Sequence, residues 1–257
     1  MSLNSTEGGY VNLQTDNGIG TITFFHPSHN SMPGYQLQAL ANTITQAGND
    51  DSIKVIILRS AGDKTFCAGA SFDELINIKN IDEGRIFFSG FANVINAMRT
   101  CPKFIIGRVQ GKAVGGGVGI AAAVDYCFAT KAASVKLSEL AVGIGPFVVG
   151  PAVVRKIGIS AMSQLSIDAT SFYSAEWALN KGLYAGIYET ADEMDTAIHA
   201  LADRLVQSNP EAMKSLKQIC WEGTENWDIL LANRAEISGT LVLSDFTRNA
   251  IEKFKAK

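Results

Sequence analysis

The chain has 257 residues, of which 47% are hydrophobic and 18% charged, so it is long enough to bury a large core without disulfides or structural metals. A formal net charge of −3 at pH 7 excludes the basic field that a nucleic-acid partner requires. No apolar run reaches the length of a membrane span. The four cysteines form no CxxC pair and the N-terminal segment Met1–Gly9 is polar, which predicts a reduced, cytoplasmic protein without a signal peptide.

The first elements in chain order are predicted to be a hairpin and a helix. Tyr10–Thr15 and Ile19–Phe25 are rich in strand formers, and the Asn-Gly pair between them favours a tight turn. Apolar residues at helical spacing then predict an amphipathic helix from Gly34 to about Gly48.

The middle of the chain alternates between strands and helices. Val55–Leu58, Phe104–Val109 and Tyr126–Ala129 are apolar runs of strand length, and the small-residue stretch Gly115–Val124 separates the last two. From about Ala191 onward, apolar positions recur only at helical spacing. The pattern predicts an α/β fold that ends in a helical region.

Two segments rich in small residues are predicted to leave backbone N–H groups accessible to a ligand. Phe66–Phe72 reads FCAGASF, and Gly111–Gly119 carries three consecutive glycines where a loop opens an alanine-rich helix. Glycines let a ligand approach main-chain N–H groups, and a helix N-terminus adds unsatisfied donors. Neither segment matches a P-loop or a GxGxxG fingerprint, which disfavours a nucleotide site. A tight turn with close helix packing is the alternative for either segment alone.

Glu139 is the only acidic residue in the apolar, glycine-rich stretch Val135–Pro146. Partial desolvation raises the pKa of a carboxyl group towards the working pH, which suits a general acid or base. A structural glutamate on a turn is the alternative. The three histidines His26, His29 and His199 form no HExxH motif, so no metal site is predicted.

Taken together and in this order, these segments resemble the enoyl-CoA hydratase/isomerase family, also called the crotonase family. Within it they look most like bacterial methylglutaconyl-CoA-type hydratases. The resemblance covers nearly the whole chain and rests on the following matches: His26 to Asn30, the CAGA element at Cys67 to Ala70, the GxxxGGG element at Gly111 to Gly117, Asp125, Ser138-Glu139 and Gly143.

The resemblance implies a β-β-α spiral core over residues 1–200 and a helical trimerisation region over residues 201–257, assembled as a homotrimer or a hexamer of two trimers. It implies a thioester oxygen held by the backbone N–H groups of Ala70 and Gly116, with Glu139 as general acid/base. CoA is expected as part of the substrate, with no other cofactor. Its expected contacts are His26, Asn30, Ala68 and, from a neighbouring protomer, Lys253.

Three departures leave the reaction open. Gly119 occupies the position at which typical hydratases of the family carry a first glutamate, Ser71 replaces the usual Asp, and Gly145–Pro151 replaces a glycine-rich loop. We expect a hydratase that adds water to a 2-enoyl-CoA. The alternatives are a Δ3,Δ2-enoyl-CoA isomerase that uses Glu139 alone and a non-catalytic acyl-CoA-binding subunit.

Overall fold

The computed structural model describes residues 8–255, with side chains as far as residue 253. Most of the segment Met1–Gly9 and the last two residues of the predicted C-terminal region therefore lie outside the described residues. The strands within this range form two sheets and are, in chain order, β1 Tyr10–Asp16, β2 Ile19–Phe25, β3 Val55–Ser60, β4 Thr65–Cys67, β5 Ile105–Val109, β6 Lys112–Val114, β7 Tyr126–Thr130, β8 Ser134–Lys136, β9 Tyr173–Ser174 and β10 Gly186–Tyr188.

The helices surround these sheets, and a 3-10 turn, Glu139–Val142, follows β8. They are α1 Gly34–Asn49, α2 Phe72–Leu75, α3 Ile81–Thr100, α4 Gly116–Ala123, α5 Gly150–Ile167, α6 Ala175–Asn180, α7 Ala191–Val206, α8 Pro210–Cys220, α9 Trp227–Leu241 and α10 Asp245–Lys255. The α/β class, the hairpin, the first helix and the helical C-terminal region agree with the sequence predictions.

The larger sheet has six strands in the order β1-β2-β3-β5-β7-β10. The β1–β2 hairpin is antiparallel and closes at the pair Asp16 and Ile19, whereas β2, β3, β5, β7 and β10 run parallel. The smaller sheet has four strands in the order β4-β6-β8-β9. The carboxyl ends of β4, β6 and β8 lie side by side because these three strands are parallel. This edge carries all three chemistry-bearing segments.

Two apolar clusters hold the layers together. The larger one fills the space between the two sheets and the helices α1, α3, α4 and α5. The smaller one lies on the opposite face of the six-stranded sheet, where α7 packs against it through Met194 and Ile198. Residue 200, the predicted boundary between core and C-terminal region, lies inside α7.

Close helix packing fixes α3 against α9. A Cβ atom added to Gly84 would lie 2.8 Å from the Cα atom of Gly239, so the two backbones touch where these glycines cross. Helix α8, which precedes α9 in the chain, begins at Pro210, and its N-cap residue Asn209 accepts hydrogen bonds from two backbone N–H groups. At its far end, Lys217 forms a buried ion pair of 2.9 Å with Asp125. Asp125 thus anchors the helical region to the sheet.

Candidate active site

The turn after β4 presents the first of the two predicted donors. Met32 and Ala70 form a parallel bridge, in which Met32 N donates to Gly69 O at 2.8 Å and Ser71 N donates to Met32 O at 3.2 Å. On the strand of Ala70 this pattern uses the C=O of Gly69 and the N–H of Ser71, so the N–H of Ala70 itself points away from Met32. Ser71 then caps α2, because its hydroxyl oxygen accepts from Glu74 N.

The turn between β6 and α4 presents the second donor. Gly115 has a φ of 53° and its N–H donates to Lys136 O of the adjacent strand at 2.8 Å. Gly116 is the first residue of α4, so its N–H has no acceptor within the helix. A side chain at Gly116 would overlap the ring of Phe91 on α3. Glycine is therefore required here by packing as well as by access to the backbone.

The two turns lie against each other. A Cβ atom added to Gly69 would lie 3.1 Å from Val114 O and 3.7 Å from Gly116 N, so the chain just before Ala70 lies beside the start of α4. Two backbone donors in this arrangement, one at a helix N-terminus, favour an oxygen that carries negative charge.

The carboxyl group of Glu139 lies next to these donors. A Cβ atom added to Gly115 would lie 3.1 Å from Glu139 Oε1. Glu139 as a residue is partly exposed, but its Oε2 atom is buried and has no hydrogen-bond partner among the described residues. Burial raises the pKa of this carboxyl to about 7, because desolvation disfavours the charged form, while its own backbone N–H acts in the opposite direction. The group can therefore exchange a proton near neutral pH.

An apolar cavity of about 520 Å³ surrounds this carboxyl group. Its lining includes Ala70, Gly116 and Glu139, together with the five phenylalanines Phe72, Phe87, Phe88, Phe91 and Phe147. The structure thus brings all three predicted catalytic positions to one cavity. The phenylalanines were not expected at the site, although Phe87, Phe88 and Phe91 recur at helical spacing in α3.

Gly119 is fully enclosed beneath the cavity. A Cβ atom added to it would lie 2.5 Å from Val149 Cγ1 and 2.7 Å from Val149 Cβ. Val149 belongs to Gly145–Pro151, the loop that also departs from the family pattern, and it lines the cavity. The space that a glutamate side chain would need at position 119 is therefore occupied by an apolar residue from that loop.

Asn30 is held by hydrogen bonds within the protein, and its expected contact with CoA stays a prediction. Its side chain is buried, accepts from His26 N at 2.9 Å, and donates to Ala61 O and Thr65 O at 2.8 Å each. These bonds hold the loop after β2 against β4. His26 also faces this loop, since Ser28 N donates to its Nδ1 atom at 3.3 Å. Neither residue lines the cavity that contains Glu139.

A second cavity, of about 610 Å³, adjoins the first and shares Ala68 and Val114 with it. His29 lines it in place of His26, and Lys64 and Lys112 contribute two positive charges against the one negative charge of Asp63. Lys253 is exposed on α10 and lines neither cavity of this chain. Its expected role from a neighbouring protomer therefore stays a prediction.

Other chemistries find little support in the site. Burial raises the pKa of the Cys67 thiol to about 12, which leaves it protonated and unreactive as a nucleophile. Among residues 8–255, no cluster of three or more His, Cys, Asp or Glu side chains could hold a metal ion. Over the same range, no helix combines the length and the apolar composition needed to cross a bilayer.

Comparison of the sequence with known proteins finds relatives that align over most of this chain. The chain is 29% identical over 250 residues to a short-chain-enoyl-CoA hydratase from Clostridium acetobutylicum, an alignment that covers 96% of this chain and 95% of that one. It is 27% identical over 240 residues to an ethylmalonyl-CoA decarboxylase from Gallus gallus, covering 91% and 80% of the two chains.

The fold matches the crystal structure of an enoyl-CoA hydratase from Bacillus halodurans with a TM-score of 0.88 at 22% identity, covering 95% of this chain and 99% of that one. Residues 14–245 match the family model described as enoyl-CoA hydratase/isomerase. This match spans the two backbone donors, the buried carboxyl group and most of the helical region. The chain belongs to the enoyl-CoA hydratase/isomerase family.

Proposed function

We propose that this protein is an enoyl-CoA hydratase that adds water across the α,β double bond of a 2-enoyl-CoA thioester, with Glu139 as its general acid/base. The observation that carries the proposal is the position of a buried, unpaired carboxyl oxygen beside the Gly115–Gly116 turn. A thioester oxygen that accepts from Ala70 N–H and Gly116 N–H puts the α-carbon of the acyl group close to this carboxyl group. Each such donor typically contributes about 3 kcal/mol to an oxyanionic transition state.

One carboxyl group is sufficient for the proposed reaction. Ionised Glu139 accepts a proton from water as the water oxygen bonds to C3, and the electron pair of the C2–C3 double bond moves into the thioester enolate. The two N–H groups stabilise the enolate oxygen. Protonated Glu139 then donates a proton to C2, which completes the addition and returns the carboxylate to its starting form. A pKa of about 7 suits both steps at neutral pH.

The second cavity supports a proposed position for the CoA moiety. We place its phosphates there, where Lys64 and Lys112 supply positive charge. Ala68, which borders both cavities, then lies beside the chain that links the phosphates to the thioester. The expected homotrimer or hexamer brings Lys253 of a neighbouring protomer towards the same molecule.

A Δ3,Δ2-enoyl-CoA isomerase is the second candidate, and the contact between Gly119 and Val149 favours it. A bound water needs two to four polar partners, and Val149 offers none. In an isomerase, Glu139 removes a proton from C2 and returns it to C4, so the site holds no reacting water.

Turnover in water labelled with ¹⁸O separates the two reactions. With 2-hexenoyl-CoA, a hydratase yields 3-hydroxyhexanoyl-CoA that carries the label at C3. With 3-hexenoyl-CoA, an isomerase yields unlabelled 2-hexenoyl-CoA. We expect labelled product from 2-hexenoyl-CoA at the higher rate. Turnover of neither substrate by a protein that still binds acyl-CoA would overturn both enzyme proposals and support a non-catalytic binding subunit.

A further inference from the structure

We infer that the acyl group of the substrate is uncharged and apolar, extends beyond four carbons, and carries no second carboxylate. The inference rests on the proposed binding of an acyl-CoA thioester in the cavity that contains Glu139. It narrows the substrate class, because the resemblance to methylglutaconyl-CoA-type hydratases points to a substrate with a second carboxylate.

One wall of the cavity is built from aromatic and aliphatic side chains. Phe87 and Phe88 meet edge to face with their ring centroids 5.0 Å apart, and Phe147, Val148 and Val149 complete the wall. The polar side chains that also line the cavity are uncharged, apart from Lys136 and Glu139. Among the described residues, no arginine or histidine lines it.

Lys136, the only cation among the described residues of the lining, is directed towards the CoA side. Its Nζ atom stands 4.5 Å from the ring centroid of Phe172, and Nζ of Lys112 stands 5.2 Å from the same centroid. Lys112 lines the second cavity and not the first. The positive charge of Lys136 therefore lies beside the region that we assign to the CoA phosphates, and the phenylalanine wall has no cation of its own.

A carboxylate placed against this wall would lose its hydration without gaining a partner. An unpaired charge buried in this way weakens binding by at least about tenfold. Apolar groups have the opposite effect, because each buried methylene strengthens binding by about fourfold. Matched ligands of equal length should therefore differ strongly in affinity.

Calorimetric titration with saturated, unreactive thioesters tests the inference independently of turnover. We expect hexanoyl-CoA to bind about fifteenfold more tightly than butyryl-CoA. In adipoyl-CoA, a carboxylate replaces the terminal methyl group of the same six-carbon chain. We expect adipoyl-CoA to bind at least about tenfold more weakly than hexanoyl-CoA. Adipoyl-CoA that binds as tightly as hexanoyl-CoA would overturn the inference and leave the proposed function standing. Failure of all three to bind would instead overturn the proposed function.

Two variants on one helix test the assignment of the wall. Phe87 lines the cavity and is partly exposed, whereas its neighbour Ile86 is 68% exposed and lies outside the lining. Phe87→Lys should shift the ratio of adipoyl-CoA to hexanoyl-CoA affinity towards adipoyl-CoA by about tenfold. Ile86→Lys adds the same charge and should leave the ratio unchanged. Equal ratios in both variants would show that the acyl group does not reach this wall and would overturn the inference.

Discussion

Replacement of Glu139 by glutamine should change catalysis and the pH dependence of stability together. Glutamine keeps the size of the side chain but cannot exchange a proton, so turnover should fall by at least about a hundredfold. The stability effect follows from the pKa, which burial raises from 4.5 to about 7 in the folded protein. This difference corresponds to about 3 kcal/mol of unfolding free energy at most.

The sign of the stability effect depends on pH. Between pH 4.5 and about 7 the unfolded chain releases the proton of Glu139 while the folded protein retains it. The parent therefore loses stability as pH rises through this window, and above pH 7 it carries the full cost of a desolvated carboxylate. Glu139→Gln avoids that cost, so it should be more stable than the parent at pH 8 and nearly equal to it at pH 4.5.

Urea unfolding at pH 4.5 and pH 8, combined with turnover of the better substrate, measures both effects. Glu222→Gln removes an exposed carboxyl group and serves as the control, with neither effect expected. Stability curves that run parallel for the parent and Glu139→Gln would refute the burial of the carboxyl group. Undiminished turnover would refute its role in proton transfer.

Four further outcomes are expected. The kcat/KM of the parent protein should rise about tenfold per pH unit up to about pH 7 and then level off, because the reaction starts from ionised Glu139. A flat profile of kcat/KM from pH 5 to 8 would contradict this. Gly119→Glu should be destabilised and slow with both candidate substrates, since the new side chain meets Val149, and Val149→Gly in the same chain should recover part of the lost stability in urea unfolding. Gly116→Ala should lose about 1–3 kcal/mol of stability through its clash with Phe91, which unfolding experiments would detect. Light scattering should give a trimer or a hexamer, and a monomer at micromolar concentration would rule out a contribution from a neighbour's Lys253.

Much of the fold could be predicted because the signals are local. The Asn-Gly turn and the helical spacing after Gly34 each lie within one segment, and both elements form as expected. The four-stranded sheet was not predicted, since its strands are only two or three residues long and are defined by their partners. Such short strands have too few residues to show a hydrophobic period of their own.

Backbone positions of the candidate site are easier to predict from the sequence than side chains whose partners are distant in sequence. The turns at Ala70 and Gly116 depend on small residues that can be recognised locally. Asn30, by contrast, hydrogen bonds to Ala61 and Thr65, 31 and 35 residues away. Nothing near Asn30 in the sequence reveals these bonds, and its expected contact with CoA stays a prediction.

The structure also joins two departures that the sequence presents separately. Gly119 and the loop Gly145–Pro151 meet at Val149, whose Cγ1 atom takes the space next to the Gly119 backbone. A larger residue at position 119 therefore requires a smaller one at position 149, and neither substitution alone keeps the packing intact. Gly119 and Val149 together form an apolar contact where typical members of the family carry a glutamate. Glu139 is therefore the only acid among the described residues that line the cavity. The same contact extends the apolar wall, so the loss of one acid and the inferred preference for an apolar acyl group would have a common physical cause.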